Sequence, residues 1–534
     1  MPQVTFLNWL MALLPIVAIL VLMVKFRWSG GKAGALSWFI SVLIAYAFYG
    51  ADSYLVAMSS IKGLWSTVFV LYIIWGAMVV YFLVTLTGAI DMISSTFSRM
   101  TAGNKLIQLL VLGWVFPSFV QGVLGFGMPV AITGPLLVGL GFPPPIAVAT
   151  PLIGHSWSVT FGSLGSSYSM LVRMSQLDPR ALAFWSAIFL GICAYMVGFS
   201  IAHLYGGWRS VREGLGAVLV IGTSLAIMLN IVANVVPNVA SFTAGLVTLG
   251  VVGLLLTRTS WYRTGVPVEA PRSALTGQEP KAGSGKPQIS FNLAFAPYWA
   301  VIIVVFGVYL TPLRGILDRF SFGFGFPEAV TTFGFVSKAS KAYAPIKYLT
   351  APGTMIFVSA FLGYLVYAAA GVWKPGTGPK LVKSVVKQAI PTTITLLTMS
   401  MMAVVMTETG MVKLLAVGVA NFAGRAYAVF SPLIGVLGAF MTGSNTNSNL
   451  LFTGFQIEIA KILGISALVV CGMQTTGGAI GNMLCPMNVA LGTGTTGITG
   501  EEGKIIGKTL TYGLIQSFVI GILGYILVNW FVAP

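Results

Sequence analysis

Ionisable side chains are scarce in this chain. Asp, Glu, Lys and Arg together make up 8% of its 534 residues, against roughly 25% in a soluble globular protein. So few charges cannot cover a water-facing surface of that size, which excludes a soluble enzyme, a nucleic-acid-binding domain and a disordered polypeptide. Acidic residues are the scarcest, 12 against 29 Lys and Arg. Paired carboxylates for acid–base or metal chemistry therefore have few candidates. The two histidines and the three cysteines, Cys193, Cys471 and Cys485, show no metal-ligand spacing and no disulfide framework. No cofactor and no metal are expected. The first apolar run, from Phe6 to Phe26, has no basic segment before it and no small-residue cleavage site after it, so it reads as a retained span and not a signal peptide.

What the chain has in abundance is apolar surface: 57% of its residues are hydrophobic, and its mean hydropathy is +0.91. The fold class expected is an all-α polytopic membrane protein embedded in a lipid bilayer. At about 20 apolar residues per span, about twelve spans are expected, at 5–25, 34–50, 66–90, 143–171, 181–204, 214–232, 239–256, 294–312, 351–371, 385–407, 464–487 and 509–531. Two further apolar stretches, 107–142 and 426–452, carry a Gly-rich or polar break near the middle and read as re-entrant hairpins. Lys25, Arg27 and Lys32 place the loop after the first span in the cytoplasm by the positive-inside rule. Alternation then puts the loop of Arg209 and Arg212 inside, Val235–Asn238 outside, and the Pro-, Gly- and Ser-rich stretch 257–290 inside as a flexible tether. The segment 313–350 falls outside although it holds five basic residues, a weak exception because long loops follow the rule loosely.

Both halves run through the same succession: a span, an amphipathic stretch, a hairpin, a broken span and a plain span. On the charge-based topology the first unit starts outside and the second inside. Two inverted repeats with interrupted helices are the best sequence pointer to a secondary transporter. The expected organisation is N-terminal helices at 1–65, a first repeat unit at 66–205, connecting helices at 206–256, the linker 257–290, helices and a long loop at 291–384, and a second repeat unit at 385–534.

A helix that stops within the membrane leaves backbone groups unpaired, tolerable only where they are buried in protein or line a wet cavity. Its free N-terminus carries partial positive charge and can hold a carboxylate. The first hairpin break reads Gln121-Gly122-Val-Leu-Gly125-Phe-Gly127-Met-Pro129; three glycines let the backbone turn and approach a ligand closely. The second, Thr442-Gly443-Ser444-Asn445-Thr446-Asn447-Ser448-Asn449, is a polar island in an apolar stretch. The broken spans hold His155-Ser-Trp-Ser158-Val-Thr160-Phe-Gly162-Ser163 and Gln474-Thr475-Thr476-Gly477-Gly478-Ala-Ile-Gly481-Asn482. A lone histidine is more often structural than functional, but His155 sits at a break and titrates near neutral pH. His203 reads as interfacial. Glu408, Asp91 and Glu458 read as helix-boundary or capping residues, and Glu328 is left without a role.

The run Gln121-Gly-Val-Leu-Gly-Phe-Gly-Met-Pro-Val-Ala-Ile132 resembles the signature of the bacterial and archaeal lactate permease family. So do Leu137-Val-Gly-Leu-Gly-Phe142, the Phe161-Gly162 pair, Met441-Thr-Gly-Ser-Asn-Thr-Asn-Ser-Asn-Leu450 and Gln474-Thr-Thr-Gly-Gly-Ala-Ile-Gly-Asn482, over nearly the whole chain. The Ser444-Asn445-Thr446 tip is also similar to the tips of sodium-coupled dicarboxylate transporters. The resemblance implies uptake of L-lactate, and often of D-lactate and glycolate, driven by a proton gradient across the plasma membrane of a prokaryote. Positions 121 and 445 are commonly Glu and Asp in the family and position 155 more often Asn; here they are Gln121, Asn445 and His155. Two obvious proton carriers are thereby replaced by amides, so either His155 has taken over the proton or the chain couples to sodium or differs in substrate. The expected substrate site comprises Gln121, Gly122, Gly125, Gly127, Ser444, Asn445, Thr446, Asn447, Thr475, Thr476 and Asn482. The coupling-ion candidates are His155, Ser158, Thr160 and Asn445. The expected partners are a small monocarboxylate, a proton or sodium ion and lipid, with no nucleic acid; the oligomeric state is open. No nucleophile–base pair at membrane depth suggests an enzyme.

Overall fold

The computed structural model describes residues 3, 5–26, 28–100, 104–123, 125, 127–254, 289–309, 311–498 and 501–532. All but the last two residues of the expected tether 257–290 lie outside the described residues. The chain is helical nearly throughout, as lipid requires of a segment that must satisfy its own backbone groups. Nine described helices are long and apolar enough to cross a membrane. The nine fall short of about twelve for identifiable reasons. Pro179–Ala233 holds two rods divided by non-helical backbone at Gly206 and Gly207. Pro237–Val252 and Ala296–Tyr309 are short. The expected span 143–171 is interrupted midway, and 464–487 near its end, at 482–485.

Local chemistry sets the helix ends. Asp52 Oδ1 accepts from Leu55 N at 2.7 Å and starts Ser53–Leu86, which begins well before the expected residue 66. Asn104 Oδ1 accepts from Leu106 N and Ile107 N and starts Lys105–Leu110. Small residues then let helices touch backbone to backbone. A Cβ on Gly63 would lie 2.8 Å from Met401 Cα, which seats Ser53–Leu86 against Thr377–Glu408. A Cβ on Gly154 would collide with the carbonyl of Gly113, in the π-helical turn Val111–Val115.

The connections gather on two faces. On one, Thr332 N donates to Gly50 O at 2.8 Å, and the turn at 234–238 shares a cavity with Arg314 and Lys347. On the other, Lys105 Nζ donates to Leu140 O at 2.7 Å, and His203 Nδ1 lies 3.0 Å from Tyr512 OH. The helices Lys105–Val123 and Met128–Gly139 form a hairpin whose open end, Lys105 and Leu140, lies on the second face. The helices Tyr427–Thr442 and Asn445–Leu463 form another, joined through Gly443 and Ser444. Glu408, shortly before that second hairpin, touches the first face through Ser337.

The segment 313–350 is a folded cap, a structure the sequence reading did not anticipate. Phe322–Phe326 pairs antiparallel with Ser340–Ile346, and Ala329–Val330 with Val336–Ser337. Glu408 is the last residue of Thr377–Glu408, the helix boundary expected of it, and it also anchors the cap. Lys62 Nζ, 2% exposed, lies 3.0 Å from Glu408 Oε2 and 3.1 Å from Ser337 Oγ. Ser337 Oγ also donates to Glu408. The Phe326 and Tyr343 rings stand 5.6 and 5.5 Å from the ammonium. Glu458 instead pairs with Lys461 at 3.0 Å on the surface.

Candidate functional site

The breaks are shorter than the polar runs that announce them. In the second hairpin only Gly443 and Ser444 leave the helix; Asn445, Thr446, Asn447 and Asn449 form the first turns of Asn445–Leu463. Gln474 through Gly481 is helical, and the interruption falls at 482–485, before Pro486–Thr496. His155 lies in the last turn of Pro144–Ser156, and the chain then unwinds before Ser166–Ser175. Gln121 likewise closes Phe116–Val123. These are corrections. At the second hairpin and in Ala467–Gly481, the amides of Asn445, Asn449 and Gln474 bond to neighbouring elements, so the backbone keeps its helical pairing where composition suggested a loop.

The second hairpin meets both interrupted helices through one buried polar cluster. Asn445 Nδ2 donates to Thr160 Oγ1 and Thr475 O, each at 3.0 Å. The hydroxyls of Thr160 and Thr475 lie 3.1 Å apart. One turn further, Asn449 Nδ2 donates to Thr475 Oγ1 at 2.9 Å and Ser167 O at 3.0 Å. Thr446 Oγ1 lies 3.0 Å from Ser167 Oγ. Behind the cluster, Gln456 Nε2 donates to Gln474 Oε1 at 2.8 Å, and Tyr427 OH and Ser431 Oγ donate to Gln456 Oε1. This network holds the hairpin against Ala467–Gly481. A Cβ on Gly478 would collide with Asn445 Oδ1, so only glycine leaves room for that amide.

The first hairpin tip meets the same two interrupted helices. A Cβ on Gly125 would collide with Ser163 Oγ and lie 3.6 Å from Gln121 Nε2. Gly127 adopts φ +77°, a conformation that favours glycine, and a Cβ there would lie 2.9 Å from Asn488 Oδ1. Asn488 Nδ2 in turn donates to Asn482 Oδ1 at 3.2 Å. At the other tip, a Cβ on Gly443 would lie 3.2 Å from Cys485 Sγ. Four helices thus begin here, at Met128, Ser166, Asn445 and Pro486, and the residues before them, Gly127, Gly165, Ser444 and Cys485, give no side-chain cap. Their positive dipole ends favour an anion, and their first-turn N–H groups are donors toward it except where already engaged, as Tyr168 N–H is by Thr160 O. The carbonyl oxygens of Asn445, Asn447 and Asn449 are buried without a partner among the described residues.

Not every expected residue faces this centre. Gly122 packs on Phe242, whose backbone leaves no room for a Cβ. Thr476 Oγ1 donates to Gly472 O and Ser158 Oγ to His155 O, so both hydroxyls are taken up by backbone carbonyls a few residues before them. The His155 ring is buried, with Nδ1 2.6 Å from Pro151 O. Sequence reasoning named Ser163 and Asn449 within the breaks without assigning them to the site, and did not single out Ser166, Ser167 or Asn488. Asn449 was accessible in principle, since it lies four residues after Asn445 and shares its helix face.

Comparison with known proteins agrees with this architecture. The family model for L-lactate permease matches residues 8–531. The glycolate permease GlcA of Escherichia coli K12 is 30% identical over 97% of this chain and 95% of its own length. The L-lactate permease of Salmonella typhi is 30% identical over the same shares, and that of Bacillus subtilis 26% identical over 97% of this chain and 96% of its own. The crystal structure of the Alcanivorax borkumensis YdaH transporter superposes with a TM-score of 0.51 at 14% identity, covering 90% of this chain and 89% of that one, a likeness of fold alone. With its apolar helices, two hairpins and two interrupted helices meeting at one polar centre, this multi-pass plasma-membrane protein belongs to the L-lactate permease family.

Proposed function

We propose that the chain is a secondary transporter that takes up L-lactate, with D-lactate and glycolate as further substrates, and performs no covalent chemistry. The observation that carries this reading is the meeting of four uncapped helix N-termini around a buried amide and hydroxyl cluster. A carboxylate accepts from helix N-termini. The 2-hydroxyl of the substrate pairs with amide and hydroxyl groups of Gln121, Asn445, Thr446 and Asn482. The two repeat units are inverted on this reading, one hairpin entering from each face, and access alternates as the units move against each other.

For coupling we propose a proton carried by His155. A second reading, sodium coupling, has its own support. The unpartnered Oδ1 atoms of Asn445, Asn447 and Asn449, with the hydroxyls of Thr160 and Thr475, are hard oxygen donors of the kind a small cation takes. Counterflow of labelled lactate in proteoliposomes, with pH and sodium varied separately, tests both. Absence of lactate exchange removes the substrate assignment. Exchange that follows sodium at fixed pH replaces the proton by sodium.

A further inference from the structure

A cavity of about 870 Å³ lies away from the polar centre, between the cap 313–350 and the ends of the helices beneath it. Its charged lining is Arg173, Arg180, Arg314 and Lys347 against Asp318 alone. Asp318 is engaged by Lys347 Nζ at 2.9 Å and Arg314 Nε at 3.8 Å. Neither Arg173 nor Arg180 has a carboxylate partner among the described residues. In a chain with 8% charged residues, four cations around one chamber make a strong local field, because low-dielectric walls focus it.

Arg173 is held in place. Its Nη1 donates to Ala344 O at 2.9 Å and its Nη2 to Pro345 O at 3.4 Å, and its guanidinium lies 4.2 Å from the Phe69 ring centroid. Ala344 adopts φ +42°, an unfavourable conformation for a residue with a Cβ, and its carbonyl is one of the two that fix Arg173. A guanidinium carries five N–H donors, so three remain beyond the two that hold the cap. The floor is Tyr168, which directly follows Ser166 and Ser167 in the same helical turn; those two serines touch the hairpin tip at Thr446. The Tyr168 N–H donates to Thr160 O at 3.0 Å, and its ring lies 5.2 Å from that of Phe161, tilted by 37°. One layer of side chains separates the chamber from the polar cluster.

We propose that this chamber is an outer binding station for small organic carboxylates, with the Arg173 guanidinium as the anion's partner. The naming of lactate as its occupant rests on the transport reading above. The station accepts the anion from solution and holds it next to the Tyr168–Phe161 layer. Since it works by full charges near solvent, salt weakens it more than the buried centre.

Equilibrium binding of radiolabelled lactate to the purified full-length protein at low ionic strength tests the proposal. Wild type is expected to bind two lactates per chain. Arg173→Gln retains the central one only, and Thr475→Val the outer one only. Arg314→Gln, which leaves both Arg173–carbonyl bonds in place and so keeps the cap seated, weakens the outer site while both remain measurable. Raising the salt to about 0.5 M shortens the screening length to a few ångströms and suppresses the outer site first. One lactate per chain in wild type, lost in Thr475→Val and unaffected by Arg173→Gln, overturns the station and spares the central site. One lactate per chain, lost in Arg173→Gln and unaffected by Thr475→Val, spares the station and overturns the central reading. No binding in any form overturns both.

Discussion

Lys62 Nζ lies 3.0 Å from Glu408 Oε2, across an interface between two helices that start more than three hundred residues apart in the chain. Ser337 of the cap bonds to both partners, so a single ion pair ties two long helices to the β-hairpin above them. Removing one charge strands the other in a poorly hydrated setting, at a cost of about 3 kcal/mol. Lys62→Met and Glu408→Met are each expected to lower the thermal unfolding midpoint of the purified protein. The double variant Lys62→Met with Glu408→Met should recover much of that loss. Loss in the double variant equal to the sum of the singles contradicts a specific pairing.

The Asn445 amide is the joint between the second hairpin and both interrupted helices. Asn445→Ala deletes donors to Thr160 and Thr475 and leaves buried acceptors unpaired, worth about 1–3 kcal/mol. Lactate uptake in proteoliposomes is expected to fall about tenfold or more on that scale, with the helical circular dichroism signal retained. Full-rate uptake by Asn445→Ala would take the residue out of the site.

His155 decides between the coupling readings. His155→Asn is expected to flatten the pH dependence of lactate uptake while leaving lactate counterflow measurable. A pH profile identical to wild type excludes His155 as the proton carrier and directs attention to the Asn445, Asn447 and Asn449 oxygens.

The cap has its own pH dependence. Burial pushes the Asp318 carboxyl up, but hydrogen bonds from Thr350 Oγ1 and Lys347 Nζ and the charges of Lys347 and Arg314 outweigh that and hold it below its ordinary 3.8. A carboxyl depressed in the folded state contributes stability above its unfolded pKa, and that contribution is lost as pH falls through the folded value. The protection of amides in Ser340–Ile346, exchange relative to the intrinsic rate at each pH, should therefore fall below about pH 4. Asp318→Asn should show the lowered protection at neutral pH. Acid-insensitive protection in wild type would show that Asp318 does not hold the cap.

Two helical glycines separate packing from flexibility. A Cβ on Gly477 would collide with Pro432 O, whereas one on Gly507 meets nothing within 4 Å. Gly477→Ala should cost at least about 1–3 kcal/mol through overpacking and weaken transport by displacing Thr475 and Thr476. Gly507→Ala should stabilise its helix by about 0.5–1 kcal/mol and leave transport unchanged. Thermal unfolding of the two variants side by side is the check.

Much of this protein was legible in its sequence because lipid imposes simple rules. Apolar run length gave the helices, and the glycine and amide runs marked both hairpin tips, Gly125 to Gly127 and Gly443 to Ser444. Where the helices stop was less legible. Thr475 and Asn445 remain helical because their side chains bond across elements, and pairing partners distant in sequence leave no local mark. The Lys62–Glu408 pair was hidden for the same reason. The cap had a local signal: Phe322-Gly-Phe-Gly-Phe326 alternates with period two, but one short strand without a visible partner looks like any loop. Gly122 was assigned to the site by its neighbours in the chain, whereas its own direction, onto Phe242, is a property of helix rotation that spacing alone does not fix.

The four uncapped helix starts also bear on time. Each presents about half an elementary charge, rigidly fixed in backbone and unable to follow a departing ligand as a lysine or arginine side chain can. An anion held by several such partial charges is oriented firmly but leaves without first breaking a full ion pair. Affinity differences are expressed chiefly in dissociation rates, so a centre of this construction favours short residence and fast turnover over tight retention.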